Sequence, residues 1–98
     1  MDIEHFDFVE GYPHQFAHRP LVAISDGYMT YCSPLPEGAT LKDAIEGYAS
    51  DCGFFEPGSV TCCAKLYLPG DDDLSPSEVL RVVLRSDDGR TVYVARIE

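Results

Sequence analysis

The pair Asp26-Gly27, set between the apolar runs Leu21–Ser25 and Tyr28–Cys32, constrains this chain most. Asp-Gly is a strong hairpin signal, because a type I′ turn needs positive φ at both central positions. The register it predicts sets Ser25 opposite Tyr28, Ile24 opposite Met29 and Val22 opposite Tyr31. Val22, Ile24, Met29 and Tyr31 then share one face, which is expected to be the buried one. Pro34 and Pro36 end the second strand. The apolar face of such a hairpin needs a cover.

The next segment supplies one. Thr40 is placed as an N-cap with Asp43 three residues on, a variant of the capping box. Leu41, Ala44, Ile45, Tyr48, Ala49 and Cys52 follow the spacing of one helical face, and Gly53 with Phe54 fits a left-handed stop. Lys42, Asp43, Glu46, Ser50 and Asp51 fall on the other side.

Beyond Pro57-Gly58, residues Ser59 to Leu68 alternate as a strand that Pro69-Gly70 ends. Ser75 to Ser86 admits two readings. Ser75-Pro76-Ser77-Glu78 is a good helix start, yet Val79–Ser86 and Arg90–Ile97 also frame a hairpin around Asp87-Asp88-Gly89. The β-branched content favours the hairpin, with Leu84 opposite Val92 and Val82 opposite Val94. Val79, Val83, Tyr93 and Ile97 then face the other way. Residues 1–19 read as irregular chain, with Phe6 and Phe8 suited to a short strand and Phe16 to a single anchor. The expectation is one domain over 1–98, of α+β class. It has an antiparallel sheet of four to five strands with one amphipathic helix on one face, in the order ββαβββ.

Little in this framework points to catalysis or to a metal. A nucleophile needs a histidine within reach, and His5, His14 and His18 all lie in the first fifth. Cys32, Cys52, Cys62 and Cys63 lack the paired spacing of zinc ligands, and packing accounts for them better. The run Asp71-Asp72-Asp73 lacks the glycine and spacing of an EF-hand loop. No catalytic residue, cofactor or metal is therefore expected. No basic, apolar leader opens the chain and no apolar run can span a bilayer, so a cytosolic location is expected.

Charge is the remaining signal. Seventeen acids face seven bases, for a net charge of −10. That balance disfavours direct contact with nucleic acid or an anionic membrane. Residues 1–64 carry ten acids and two bases, whereas 65–98 carry seven acids and five bases. The helix offers Asp43, Glu46 and Asp51, and the turn Asp71, Asp72 and Asp73 adds a second patch. Carboxylates fixed on a frame can pair with a basic groove, and Tyr12, Tyr28, Tyr48 or Tyr67 could add aromatic anchors where exposed.

In length, acidity and lack of a catalytic motif the chain resembles the anti-CRISPR proteins, small phage-encoded inhibitors of bacterial defence. Several of those act as DNA mimics. The resemblance rests on these general properties across the chain and carries over no residue. It implies a non-enzymatic inhibitor in the cytoplasm of a bacterial host. Such a protein would occupy the basic nucleic-acid-binding surface of a protein or complex, with a CRISPR-Cas effector as one example. The alternative is a small assembly module that self-associates through an apolar sheet face. A monomer or weak homodimer is expected.

Overall fold

The computed structural model describes residues 6–11, 20–51, 57–72 and 74–98. These form six strands and one helix: β1 (Val9–Glu10), β2 (Leu21–Ser25), β3 (Thr30–Pro34), α1 (Leu41–Asp51), β4 (Gly58–Tyr67), β5 (Glu78–Ser86) and β6 (Tyr93–Ile97). All six strands join one antiparallel sheet in the order β1-β3-β2-β4-β5-β6. The class is α+β, with one strand more than the pattern predicts. The addition is β1, two residues on the edge beside β3, where an irregular segment was expected. Phe16, His5, His14, His18, Cys52, Gly53 and Phe54 lie outside the described residues.

Helix α1 begins where the spacing places it. The Asp43 N–H donates to Thr40 Oγ1 at 3.1 Å and the Thr40 N–H donates to Asp43 Oδ2 at 2.9 Å, a reciprocal capping box. Leu41, Ala44, Ile45, Tyr48 and Ala49 are buried. They pack on Val22 and Ile24 of β2, Cys62 and Ala64 of β4, and Val82 and Leu84 of β5. Phe6 stacks on Phe8 at 5.8 Å, and Phe8 meets Tyr48 edge-on at 5.3 Å, so the segment before β1 closes one flank of this core.

The first hairpin is right in its faces and wrong in its register. Ile24 pairs with Tyr31 and Val22 with Ser33, two residues beyond the predicted partners. A single carboxylate explains the longer loop. Asp26 Oδ1 accepts the N–H groups of Tyr28 and Met29, both at 2.9 Å, and the Asp26 N–H donates to the Met29 carbonyl. Gly27 alone takes positive φ, at 95°, so the two-residue I′ turn does not form. A shift of two preserves the face, so Val22, Ile24 and Tyr31 still point to the helix while Met29 moves into the exposed turn.

The same correction applies at the second hairpin. Residues 75–86 contain a strand, Glu78–Ser86, and no helix. Leu84 pairs with Val94 and Arg85 with Tyr93. The turn is wider than three residues because Asp88 Oδ1 accepts from Arg90 N at 2.8 Å, Thr91 N at 2.7 Å and Ser86 Oγ at 3.2 Å. Buried Val92 therefore belongs to the loop rather than to the ladder. A bulge between Val83 and Leu84 leaves Ala95 unpaired and sets Ile97 opposite Val82, on the helix side rather than with Val79 and Tyr93.

Candidate functional site

The acids singled out by the sequence do different jobs. Glu46 and Asp51 are exposed on α1, and Ser50 and Lys42 are exposed with them. Asp43 is half-buried and holds the helix cap, so its carboxylate is structural as well as charged. Asp51 stands in the last turn of α1, which carries no basic residue. Its charge opposes the partial negative charge of the helix C-terminus there. Between these groups Phe6 lies over Gly47, where its ring leaves only 3.0 Å for an added Cβ. Asp7, the next residue, is exposed and donates its N–H to Ser33 Oγ at 2.9 Å.

The second predicted patch is largely absorbed by its own turn. Asp71 Oδ2 accepts the Leu68 N–H at 2.8 Å and the Ser77 hydroxyl at 2.5 Å. These bonds, the Leu68 N–H first, hold the Asp71 carboxyl below its ordinary value. Asp72 Oδ1 accepts the Leu74 N–H at 3.2 Å, closing an Asx turn. Asp73 lies outside the described residues. Asp71 and Asp72 thus shape the β4–β5 turn, and of the predicted acids Glu46 and Asp51 are the exposed ones with no structural bond of their own among the described residues.

The sheet face away from α1 holds what the sequence reading did not assemble. Strand β5 turns Val79, Arg81, Val83 and Arg85 to this side, because Leu80, Val82 and Leu84 face the helix. Register adds Lys65 beside Val79, Cys63 beside Arg81, Arg96 beside Val83 and Tyr93 beside Arg85. Four of the chain's seven bases, Lys65, Arg81, Arg85 and Arg96, therefore share one surface. The period-two run Val-Arg-Val-Arg in residues 79, 81, 83 and 85 was the signal that could have revealed it.

No family model, curated protein or solved structure matches this chain.

Arg85 Nε bonds Asp87 Oδ1 at 3.1 Å, Tyr93 donates its hydroxyl to Asp87 Oδ2 at 3.2 Å, and Arg96 pairs with Glu98. Arg81 and Lys65 have no ion pair among the described residues. At the end of this face near the β5–β6 turn, Ser59, Val83, Arg85 and Arg96 line an open concavity of about 680 Å³. Beyond it, Leu21, Ala23, Cys32 and Tyr67 form a small buried cluster.

Of the candidate anchors, Tyr28 is 93% exposed at the β2–β3 turn, while Tyr48 and Tyr67 are buried and Tyr12 lies outside the described residues. Cys32 and Cys62 are buried and Cys63 is half-buried; Cys62 faces the helix and Cys63 the other side. Among the described residues no group of three His, Cys, Asp or Glu is placed to hold a metal, and no helix is long and apolar enough to cross a membrane.

Proposed function

We propose that this chain is a non-enzymatic binding protein whose acidic helix side docks on a Lys/Arg-lined nucleic-acid-binding surface of another protein. The observation that carries the reading is charge segregation. Glu46 and Asp51 stand exposed on α1, whereas Lys65, Arg81, Arg85 and Arg96 stand on the opposite side of the sheet. Part of the net charge of −10, carried on α1 by Asp43, Glu46 and Asp51, is thereby offered on one side to a basic groove. The resemblance to anti-CRISPR inhibitors supports the same reading and makes a CRISPR-Cas effector one partner to test.

The test is capture from a bacterial lysate on the immobilised chain, with duplex DNA as competitor. Supporting results are retention of nucleic-acid-binding proteins, their release by DNA or salt, and their loss with Glu46→Lys plus Asp51→Lys. Asp43 is left in place because reversing it would remove the helix cap. Retention indifferent to DNA and to both reversals overturns the reading.

A second reading, self-association, is favoured by the sheet face away from α1, where Val79 is 50% and Tyr93 41% exposed. These apolar groups are interleaved with Lys65, Arg81 and Arg85 along the same face, so any contact there would be mixed in character.

A further inference from the structure

We infer that the basic sheet face away from α1 takes the acidic helix side of a second copy of this chain, so that copies associate head to tail. The inference rests on the self-association reading for the face, and replaces its apolar contact with a charged one. An apolar face-to-face dimer would set Arg81 and Arg85 against their own copies, four residues apart on one strand. Like charges placed directly opposite destabilise such a contact. The complementary surface is present on the same molecule. It is the outer side of α1, with Asp43, Glu46 and Asp51 against Lys42 alone.

The two sides also agree in length. Arg81 and Arg85 stand roughly 13 Å apart along β5, at about 3.3 Å per residue. Asp43 and Asp51 stand roughly 12 Å apart along the axis of α1, at about 1.5 Å per residue. Arg81 and Lys65 bring no ion pair of their own among the described residues, so contact with a carboxylate breaks no existing pair there. Asp87 and Glu98 stand beside Arg85 and Arg96, and weaken the positive field at that edge. Unlike surfaces in contact give a heterologous interface, which does not close at two copies.

Sedimentation velocity on the whole chain tests this with no other protein in the cell, so failure of partner capture leaves the readout untouched. Near physiological ionic strength the Debye length is about 8 Å, which damps the long-range repulsion between acidic copies while contact pairs survive. The sedimentation coefficient is expected to rise with concentration without a plateau at the dimer, and to fall back at high salt. Arg81→Glu plus Arg85→Glu abolishes the rise, and so does Glu46→Lys plus Asp51→Lys. All four positions are exposed, and unchanged circular dichroism confirms that each variant folds. Mixing the two variants restores the rise, because each then supplies the charge the other lacks. A wild-type chain that stays monomeric, a salt-insensitive closed dimer, or a mixture as inert as its components overturns the inference.

Discussion

Asp88 gathers three hydrogen bonds on one oxygen, from Thr91 N, Arg90 N and Ser86 Oγ. The Thr91 N–H, then the Arg90 N–H, hold its carboxyl below the ordinary value of 3.8. Asp26 is lowered in the same direction, chiefly by the Met29 N–H and then by that of Tyr28. A carboxyl whose pKa is depressed by folding adds stability that is present above its unfolded value and is lost as pH falls through its folded one. The Asp88→Asn variant is therefore expected to be less stable than the parent near neutrality. The gap in urea midpoints should close as pH drops below about 4; a gap constant with pH would show that charge plays no part. The same two side chains explain what sequence reasoning missed. A carboxylate that collects main-chain N–H groups widens its turn, and residue type alone does not say which turn it will choose. Asp43 was legible because its bond is made three residues away within one helical turn.

Among the elements, α1 was readable because its signal is repeated five times at helical spacing by Leu41, Ala44, Ile45, Tyr48 and Ala49. Both strand hairpins shifted by two residues, which preserves the predicted faces up to the β6 bulge, beyond which Arg96 and Ile97 change sides; hence the core emerged although the partners did not. The basic sheet face was harder to see, because it exists only once β4, β5 and β6 are set in register. Gly47 shows an element accepting a poor residue for the sake of its neighbour. Glycine inside a helix costs about 1 kcal/mol relative to alanine. Here it admits the ring of Phe6, whose Cδ2 lies 3.0 Å from where a Cβ would stand. Gly47→Ala is expected to stabilise by about 1 kcal/mol in a Phe6→Ala background and by clearly less in the parent. Equal effects in both backgrounds, measured by chemical denaturation, would sink this account of the glycine.

At the level of the molecule, ten uncompensated negative charges meet few local remedies. The ion pairs Arg85–Asp87 and Arg96–Glu98 are both solvent-exposed and contribute little. Compaction concentrates like charge that the unfolded chain spreads out, so self-repulsion is expected to weigh on the folded state. The thermal midpoint should therefore climb as salt is raised from low to physiological strength, followed by circular dichroism on dilute protein. A falling midpoint would show that exposed pairs outweigh the repulsion. The acidic helix side was partly visible from composition, since the imbalance lies before residue 65, but its separation from the basic face is a property of the assembled sheet.

The central ladder carries a further consequence. Strands β2 and β3 are joined by a short turn, and β4, β5 and β6 follow one another, so each group is built from neighbours in the chain. They meet along β2 and β4, through five residue pairs from Leu21↔Tyr67 to Ser25↔Cys63. Closing that junction brings together residues roughly forty positions apart, at an entropic cost that grows with the logarithm of the loop. The helix lies within that loop and touches both sides, so it acts as the clasp across the seam. Loosening the clasp would part the molecule into two half-sheets, each still locally paired, before either one unravels.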